Sequence, residues 1–523
     1  MIMRHADVIE RFTSGHHLIE RITVADSTRA RVPVIAPFTG QSLGEIPLCE
    51  AADVELAIRR ARQAQPAWAT RRARDRARVL IRFHDLLLDR RDEALDLIQL
   101  ESGKARRHAF EEILDTALVA RHYGVHAPRY LRPTRRAGAI PLLTSVLEVH
   151  HPLGVVGVIA PWNFPLILGI TDVLAALAAG NAVVLRPDEQ GSLTALWAAR
   201  LLDQAGLPPE LLQVVTGRGP VLGPPLIGGV DFLMFTGSTR TGRTVATQAA
   251  ERLIGFSLEL GGKNPMLVLH DADLDAAVEG AVRGSFVGAG QVCVSFERIY
   301  IHESIHDRFV SRFVERVKAM KLSPSLDYDA EMGSLTVPRQ LAAVEAHVHD
   351  ALDKGATLLA GGRPRPDIGP LFYEPTVLTG VTPEMHLYHE ETFGPVVAVY
   401  RFTTEDDAVT RANDTRYGLN GSVWSRDTSR ALSVAARLQV GTVNVNESYA
   451  ATWSATATPI GGMKESGVGR RHGAEGILKY TATQTLAVQR GLPLAPHPRG
   501  THEQYARVMT RLLRWMRRAP GLR

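Results

Sequence analysis

The chain has 523 residues, of which 45% are hydrophobic and 22% charged, a composition typical of a globular protein with two or three domains. The net charge is +5, but residues 499–523 contribute +6 through seven arginines and one glutamate, so the rest of the chain carries about −1. A nearly neutral body argues against nucleic-acid binding. The two cysteines, Cys49 and Cys293, exclude a disulfide framework and favour a reducing compartment.

The N-terminal region has no long apolar run, so we predict neither a signal peptide nor a membrane span and expect a cytoplasmic protein. Apolar residues recur at helical spacing over 53–68 and 76–102. This spacing predicts amphipathic surface helices whose outer faces carry arginine.

Strand and helix patterns alternate after Pro152. Short apolar, β-branched runs predict buried parallel strands, and the segments between them predict helices closed by Gly180 and Gly206. Strands are predicted at 154–161, 181–187, 211–217, 230–238, 394–402 and 441–447, helices at 172–180 and 192–206, and strand–helix pairs at 264–282 and 298–322. This alternation predicts an α/β fold of the doubly wound type.

A glycine turn, FTGSTRTG at 235–242, follows the fourth predicted strand. Its backbone N–H groups and the following helix N-terminus favour an anion such as a phosphate, and the Ser238 hydroxyl adds a donor. The spacing of Gly237 and Gly242 differs from G-x-G-x-x-G, so an N-capped helix without a ligand explains the residues equally well. At the end of the second strand, Glu189 could accept ribose hydroxyls, although an exposed loop carboxylate explains it better when it stands alone.

The stretch GAGQVCVSFER, residues 288–298, puts Cys293 after small, flexible residues. A structural cysteine needs only apolar neighbours, whereas a reactive one needs a backbone that can bend close to a substrate, which glycine allows. This stretch alone leaves both interpretations open. Cys49, in IPLCEAA, has no such context, and we expect it to fill space in the core or in a turn.

Five stretches together resemble the aldehyde dehydrogenase superfamily in order and spacing, within a similarity that runs from about residue 35 to about residue 490. They are PWNFP (161–165), FTGST (235–239), LELGGKNP (258–265), GQVC (290–293) and EETFGPV (390–396). Longer stretches such as GGMKESGVGRRHGAEGILKYT are most similar to a group of bacterial succinate-semialdehyde dehydrogenases. The resemblance implies NAD(P)-dependent oxidation of an aldehyde to its acid, with succinate semialdehyde as the first candidate substrate.

The resemblance also implies an aldehyde dehydrogenase-like α/β fold with two doubly wound Rossmann-like domains and a small bridging β-sheet. That sheet would join subunits into a homodimer or homotetramer. The expected bounds are 20–137 and 154–261 for the NAD(P)-binding domain, 262–460 for the catalytic domain, 138–153 with 478–492 for the bridging sheet, and 493–523 for a basic amphipathic C-terminal tail.

By resemblance, Cys293 is the nucleophile whose thiolate attacks the aldehyde carbonyl. The side-chain amide of Asn163 and the backbone N–H of Cys293 would stabilise the oxyanion. Once hydride has passed to the nicotinamide, Glu259 would take a proton from the water that hydrolyses the thioester, with a pKa raised towards neutrality by partial burial. The alternatives are an inert core thiol for Cys293 and a surface carboxylate for Glu259. No metal is expected.

The resemblance assigns nine residues to the cofactor. They are Trp162, Asn163, Arg186, Glu189, Gly237, Ser238, Leu260, Glu391 and Phe393. Arg186 replaces the lysine usual in the family, and its planar fork suits the 2′-phosphate of NADP. Glu189 would repel that phosphate and pair with the free 2′-hydroxyl of NAD. These signals conflict, and the similarity to the bacterial group tilts the prediction slightly towards NADP.

The sequence departs from the family pattern at the positions expected to bind the substrate. Well-known succinate-semialdehyde dehydrogenases hold the far carboxylate with two arginines, and the corresponding residues here are Val287 and Thr171. Because a buried carboxylate without a cationic partner is costly, an uncharged aliphatic or aromatic aldehyde is the alternative. Acyl transfer to coenzyme A is disfavoured by Glu259, and a catalytically silent scaffold is disfavoured by the complete catalytic set.

The C-terminal stretch 503–518 places apolar residues along one stripe of a helix and arginines over much of the rest. Binding to an anionic membrane surface is one interpretation. A helix docked on a neighbouring subunit, or a frayed terminus, is the interpretation that the sequence alone favours.

Overall fold

The structure is a computed structural model that describes residues 16–139, 143–490, 495–496 and 501–518. Its strands, in chain order, are β1 (Arg31–Ile35), β2 (Ser42–Pro47), β3 (Thr134–Arg136), β4 (Thr144–Pro152), β5 (Val155–Ala160), β6 (Ala182–Pro187), β7 (Leu212–Val214), β8 (Phe232–Thr236), β9 (Gly255–Glu259), β10 (Asn264–Val268), β11 (Phe296–His302), β12 (Thr357–Ala360), β13 (Thr376–Thr379), β14 (Val396–Phe402), β15 (Tyr417–Gly418), β16 (Asn420–Trp424), β17 (Thr442–Val445), β18 (Met463–Lys464), β19 (Gly467–Val468) and β20 (Thr481–Gln489).

Its α-helices, in chain order, are α1 (His16–Ile19), α2 (Ala51–Ala69), α3 (Ala73–Asp89), α4 (Arg91–Ser102), α5 (Arg106–Tyr130), α6 (Pro165–Ala179), α7 (Ser192–Gln204), α8 (Gly219–Gly229), α9 (Thr239–Glu251), α10 (Leu274–Phe286), α11 (His306–Lys318), α12 (Pro338–Asp353), α13 (His386–His389), α14 (Glu405–Asn413), α15 (Thr428–Ala435), α16 (Ala450–Trp453), α17 (Gly473–Leu478) and α18 (His502–Arg518).

The first large sheet has six strands in the order β19-β9-β8-β5-β6-β7, and only the edge strand β19 is antiparallel to its neighbour. Every residue of β5, β6 and β8 is buried, which explains their continuous apolar sequences. Gly180 and Gly206 follow α6 and α7 in the left-handed conformation, with φ of 104° and 91°. The predicted doubly wound fold is confirmed in this region.

The second large sheet has seven strands in the order β12-β13-β14-β11-β10-β16-β17, with β12 as its antiparallel edge. It has its own hydrophobic core, built from residues between Met266 and Val440. The core of the first sheet runs from Leu18 to Leu260 and also takes in Ile477 and Tyr480 from the C-terminal part of the chain. Two separate cores agree with the predicted two α/β units.

The third sheet is small, with the strand order β20-β4-β3. All nine residues of β20 pair with β4 in antiparallel register, from Thr481 opposite Pro152 to Gln489 opposite Thr144. The strand β3 lies before residue 138, so the sheet begins earlier than the range expected from the sequence. Its three residues are too few to show a period. Most of β20 is exposed, which leaves one face of this sheet available for contact with another subunit.

The predicted surface helix at 76–102 differs from the structure. It is divided at Arg90 into α3 and α4, and α4 is buried continuously from Ala94 to Ser102. The reason is polar as well as apolar packing, because the carboxylate of Glu101 accepts hydrogen bonds from the backbone N–H groups of Leu193 and Thr194 at 2.6 and 2.9 Å. The spacing of apolar residues cannot predict that a carboxylate is buried because it caps another helix.

The C-terminal tail contains α18, which has no buried residue. The rest of the predicted tail, apart from residues 495, 496 and 501, lies outside the described residues, as do 140–142 and 491–492 of the predicted bridging-sheet range. Within the described part of the chain, no helix combines the length and the apolarity that crossing a bilayer requires.

A buried ion cluster ties the C-terminal part of the chain to α6. Asp172, 4% exposed, lies 2.8 Å from Arg471 (Oδ2–Nη2) and 2.9 Å from Lys479 (Oδ1–Nζ), and it accepts a hydrogen bond from the Tyr480 hydroxyl at 2.6 Å. Burial alone would raise the pKa of Asp172, but the two cations outweigh it and hold that pKa below its usual value. The cluster therefore cross-links segments that are about 300 residues apart.

Asp172→Asn leaves Arg471 and Lys479 buried without their counter-ion. We expect the free energy of unfolding to fall by about 3–5 kcal/mol, measured by urea denaturation followed by circular dichroism. Asp329→Asn is the control, because its partner Lys321 is exposed, and it should change the stability by less than about 0.5 kcal/mol. Equal effects of the two substitutions would show that the cluster does not stabilise the fold.

Candidate active site

The backbone turns sharply just before Cys293. Gly288, Ala289 and Gly290 adopt left-handed conformations with φ of 56°, 55° and 72°, which are unfavourable for residues that carry a Cβ. A Cβ on Gly290 would clash with the carbonyl group of Gly394, so the two loops approach each other only because this residue is glycine. The flexible stretch therefore brings Cys293 to the meeting point of two loops, as the reactive interpretation requires.

Three polar side chains hold this turn in place. Asn163 donates from Nδ2 to the backbone carbonyl two residues before Cys293 at 2.8 Å, and Asn264 donates from Nδ2 to the Cys293 carbonyl at 2.8 Å. Buried His108 accepts at Nδ1 from the N–H of Gly288 at 3.2 Å. Burial lowers the pKa of His108 to about 3, so its ring is neutral and able to accept. Asn163 keeps a second amide hydrogen for another acceptor.

Cys293 is partly exposed. Burial of the sulfur, followed by the charges of Glu259 and Glu391, raises the pKa of its thiol to about 12. The thiol is therefore protonated at neutral pH in this state, and a thiolate forms only with a proton acceptor or altered surroundings. Cys49 is only 3% exposed, which agrees with the expected core role.

Glu259 is the last residue of β9, where β19 pairs with it. It is 6% exposed, and its Oε1 has no hydrogen-bond partner among the described residues. Burial raises the pKa of Glu259 to about 7, although Arg471 and Lys479 oppose this shift. Its backbone carbonyl accepts from the N–H of Gly237 at 3.1 Å, which connects it to the glycine turn. A carboxylate with a near-neutral pKa and an unused oxygen is suited to take a proton from water.

A buried lysine–glutamate pair positions the segment that carries Asn163. Lys104 donates from Nζ to Glu112 Oε1 at 2.5 Å and to the carbonyl oxygen of Asn163 at 2.7 Å. The second oxygen of Glu112 accepts from the backbone N–H groups of Leu166 and Ile167 at 2.8 and 3.2 Å. Both side chains are at most 2% exposed. The pair therefore fixes both the Asn163 backbone and the first turn of α6.

A second buried pair, Lys263 with Glu297, positions the facing loop. Lys263 Nζ also donates to the carbonyl oxygen of Glu390 at 2.8 Å. Glu297 Oε1 accepts from the backbone N–H groups of Thr392 and Phe393, both at 2.9 Å. One ion pair therefore fixes the backbone of residues 390–393.

This second loop presents Glu391 and Phe393, both predicted to contact the cofactor. Glu391 accepts from the N–H of Gly262 at 2.9 Å, and burial, followed by its neighbour Glu297, raises its pKa to about 8. Phe393 has a strained φ of 52° and meets the Trp162 ring edge-to-face, with centroids 5.7 Å apart.

Leu260, a further predicted cofactor residue, is buried against Gly242 of α9. It does not line the cleft described next. The sequence resemblance placed it beside the nicotinamide, and that placement stays a prediction.

A cleft of about 1280 Å³ lies at the carboxyl ends of β5, β6 and β8. Five of the predicted cofactor residues line it, namely Trp162, Arg186, Glu189, Gly237 and Ser238. Ser238 is the N-cap of α9 and accepts from the N–H of Thr241 at 3.4 Å. The N-terminus of α9 is thus both N-capped and part of the wall of the cleft. A helix N-terminus in a cleft of this size suits a dinucleotide phosphate.

The cofactor-selecting residues Arg186 and Glu189 pair with each other. Arg186 donates from Nη2 to Glu189 Oε2 at 3.0 Å and from Nε to the carbonyl oxygen of Gly217 at 3.0 Å. Glu189 therefore offsets part of the positive charge of Arg186, the residue predicted from the sequence to favour a 2′-phosphate. The same cleft is also lined by three exposed arginines, Arg218, Arg240 and Arg339.

A second pocket, of about 50 Å³, opens at Cys293 and Asn163. Its lining is mostly aliphatic and aromatic and includes Val287. Glu111 is the one charged side chain in that lining, and it accepts a hydrogen bond from the Tyr449 hydroxyl at 2.8 Å. Thr171 is absent from the lining. Within the described residues, no arginine or lysine lines this pocket.

Sequence reasoning missed His108, Arg471 and the two buried ion pairs. Lys263 lies inside the recognised stretch LELGGKNP, but its partner Glu297 is 34 residues away and no spacing rule connects them. Position in or near a recognised stretch could have marked Lys263, Glu297 and Arg471, whereas no recognised stretch lies near Lys104, His108 or Glu112.

Comparisons with known proteins agree on one family. The model of the aldehyde dehydrogenase family matches residues 23–486. A Mycolicibacterium smegmatis protein named "Putative succinate-semialdehyde dehydrogenase [NADP(+)]" is 50% identical over 496 residues, which cover 95% of this chain and 96% of the relative. The 3-sulfolactaldehyde dehydrogenase of Pseudomonas putida is 38% identical, with 88% and 94% of the two chains covered.

Solved structures share the fold as well. Betaine aldehyde dehydrogenase of Staphylococcus aureus, in complex with NAD+, superimposes with a TM-score of 0.88 at 31% identity, covering 95% of this chain and 99% of that one. An NADP-dependent enzyme of E. coli gives a TM-score of 0.84 at 35% identity, covering 88% and 95%.

The raised pKa of Cys293 has a measurable consequence. We expect its reaction with iodoacetamide to be slow at neutral pH and to accelerate about tenfold per pH unit up to about pH 10, because the thiolate fraction rises tenfold per unit below the pKa. Peptide mass spectrometry follows both cysteines, and Cys49 serves as the internal control that stays unmodified in the folded protein. A labelling rate that is flat between about pH 7 and pH 9 would contradict the raised pKa.

Proposed function

The chain belongs to the aldehyde dehydrogenase family and oxidises an aldehyde with NADP or NAD; within that activity we propose that the substrate is succinate semialdehyde and that Cys293, Glu259 and Asn163 carry the reaction. The observation that carries the substrate proposal is the 50% identity to the M. smegmatis relative across almost the whole chain. The residue proposal rests on the shared neighbourhood of Cys293, Asn163 and Glu259.

Cys293 acts as the nucleophile once its thiol proton has passed to solvent water. The sulfur forms a bond to the carbonyl carbon, and the carbonyl oxygen takes the electron pair and becomes an oxyanion. The free amide hydrogen of Asn163 and the N–H of Cys293 stabilise that charge. The buried Lys104–Glu112 pair keeps Asn163 at a fixed distance from the thiol loop, so no reorganisation is needed as the charge develops.

The cleft at the strand ends would hold the cofactor. Bound NADP or NAD supplies the acceptor for the hydride that leaves the substrate carbon. The N-terminus of α9 with Gly237 and Ser238 suits the pyrophosphate, and Glu391 suits the nicotinamide ribose. The exposed arginines of the cleft favour a 2′-phosphate, whereas Glu189 favours a free hydroxyl. We propose use of both cofactors, with NADP preferred.

Glu259 completes the reaction. Loss of hydride leaves an acyl group on the Cys293 sulfur as a thioester, and Glu259 takes a proton from water as the water oxygen attacks the acyl carbon. The carbon–sulfur bond then breaks, and the acid leaves. With a pKa of about 7, Glu259 is ionised and active as a base above neutral pH and becomes protonated and inactive as the pH falls below it. Release of acid without an added thiol distinguishes this route from acyl transfer to coenzyme A.

The pocket at Cys293 supports a second candidate, an uncharged aldehyde. The lining of this pocket is largely apolar, its one charged member is the acidic Glu111, and Val287 stands where an arginine would be expected. Arg283, four residues before Val287, lines a neighbouring cavity rather than this pocket, and its Nη2 lies 3.6 Å from Glu111 Oε1. Among the described residues, the lining of this pocket offers a substrate carboxylate no cationic partner, which favours the uncharged aldehyde.

Assembly and location complete the proposal. The exposed strand β20 offers an edge and a face for a second subunit, which supports a homodimer or homotetramer built on the three-stranded sheet. The two unpaired cysteines support a cytoplasmic enzyme.

Glu259→Gln separates the two halves of the reaction. We expect the first turnover to produce one equivalent of reduced nicotinamide in a burst, while the steady-state rate falls about 100-fold or more because the base for hydrolysis is lost. Stopped-flow absorbance measures both phases. The wild-type steady-state rate should decline below about pH 7, and the variant should lose this dependence. Glu475→Gln, at an exposed position of α17, is the control with normal rates.

A hydrolysis rate that survives Glu259→Gln would remove Glu259 from the proposal. Loss of the burst itself in Glu259→Gln, in a folded protein that binds cofactor, would show that Glu259 acts before acyl formation. Cys293→Ser should abolish both the burst and turnover.

Initial rates on matched aldehydes decide the substrate. We expect kcat/KM for succinate semialdehyde to exceed that for butanal, which has the same carbon chain without the carboxylate, by about tenfold or more. Parallel series with NADP and NAD measure the cofactor preference. Higher kcat/KM for butanal or benzaldehyde than for succinate semialdehyde would establish the uncharged-aldehyde alternative.

A further inference from the structure

We propose that α18, His502–Arg518, binds the surface of an anionic phospholipid bilayer and so holds the enzyme at a membrane. This helix lies outside residues 23–486, the part matched by the family model, and it supplies none of the residues of the active site. Its role is therefore separate from catalysis.

The helix divides into two halves by side-chain chemistry. At about 100° per residue, the five arginines fall within one half of the helix circumference together with Glu503, Gln504 and Thr510. The opposite half holds only apolar and aromatic side chains and His502. The arginines are Arg507, Arg511, Arg514, Arg517 and Arg518, and the opposite half contains Tyr505, Ala506, Val508, Met509, Leu512, Leu513, Trp515 and Met516.

The borders of the apolar half are exposed to solvent, whereas Tyr505, Met509, Leu512 and Met516 along its centre are half-buried. Val508, Leu513 and Trp515 are 62%, 61% and 61% exposed, and no residue of α18 is buried. An isolated leucine at a protein surface needs no explanation, but a continuous apolar face along a whole helix does. Water is a poor solvent for such a face, so we infer that another phase or molecule covers it.

Charge identifies the occupant. Arg517 borders the apolar half on one side, Arg511 lies near the other border beside Gln504, and Glu503 is the one acidic side chain of the helix. Two copies packed through their apolar faces would bring like-charged arginine borders together, which is unfavourable. Anionic headgroups satisfy both borders at once, while the apolar half enters the acyl boundary and the arginine stems extend back to the headgroups.

The remaining features agree with a helix that lies on a bilayer rather than crosses it. Its 17 residues are too few and too highly charged to span the hydrocarbon layer. Trp515 lies at the edge of the apolar half, the position that an indole ring takes at a membrane interface. The net charge of the chain is concentrated in this segment, whereas the body is nearly neutral, so attraction to an anionic surface would orient the whole enzyme.

Sedimentation of the full-length enzyme with vesicles tests the proposal. We expect binding to phosphatidylcholine vesicles that contain about one third phosphatidylglycerol, at least tenfold weaker binding to pure phosphatidylcholine, and release at about 0.5 M salt. Leu513→Glu and Arg511→Glu should each weaken binding about tenfold or more and leave the rate of aldehyde oxidation unchanged.

Matched controls come from the body of the protein. Leu432→Glu replaces a leucine of the same 61% exposure on α15, and Arg59→Glu replaces an exposed arginine on α2. Both should bind vesicles like the wild type. Trp515→Phe should retain binding but lose the blue shift of tryptophan fluorescence that accompanies it, which locates the contact on this helix.

Four results would overturn the proposal. The first is absence of sedimentation with anionic vesicles. The second is binding that Leu513→Glu does not change. The third is a lower native mass of the Leu513→Glu variant without any vesicle binding by the wild type, which would assign the apolar face to a second copy. Retention on heparin without vesicle binding would likewise assign the arginines to an acidic macromolecule. Because the variants are also assayed for aldehyde oxidation, failure here leaves the proposed function untouched.

Discussion

Two buried lysine–glutamate pairs determine whether a reaction centre can exist at Cys293. Lys104 with Glu112 holds the backbone of Asn163 and the start of α6, and Lys263 with Glu297 holds the loop of Glu391. In each pair the carboxylate accepts backbone N–H groups and the ammonium donates to a backbone carbonyl. Removing one partner would leave a buried charge unpaired, at a cost of about 3–5 kcal/mol, so neither loop can drift without losing the pair. The positions of Asn163 and Glu391 in the site are therefore set by these two buried ion pairs.

The two loops beside the Cys293 thiol are held rigidly, and this explains how they can contain strained backbone conformations. Ala289 and Phe393 both have positive φ without being glycine, and they lie on the two loops that meet at Gly290 and Gly394. Each such residue costs about 1–3 kcal/mol. The fold can maintain them because side chains from three distant elements, His108, Asn163 and Asn264, hold the loop of Cys293. Strain is concentrated beside the sulfur and is balanced by hydrogen bonds that begin far from it in sequence.

The sequence predicted the strands and the helix ends well because those signals are local. β5, β6 and β8 are buried on both faces and therefore read as apolar runs, and Gly180 ends α6 with a conformation that other residues avoid. It failed for α4, whose polar residues are buried because Glu101 caps a different helix. The site was recognised from motifs, whereas its supports were not, since Lys263 and Glu297 belong to different motifs and only the fold brings them together.

The carboxylates around the sulfur also explain how Glu259 and Cys293 can lie in one site without both being ionised at neutral pH. Glu259 and Glu391 each raise the pKa of Cys293, and burial raises their own pKa values to about 7 and about 8. A thiolate beside two carboxylates would be strongly disfavoured, so the thiol rests in its protonated form, protected from oxidation. Arg471 is the opposing charge, held by Asp172 behind Glu259 and able to lower the pKa of both. The balance between the cations Arg471 and Lys479 and the carboxylates Glu259 and Glu391 sets how readily the sulfur can be activated. Both cations lie in the C-terminal segment that contributes Ile477 and Tyr480 to the first core.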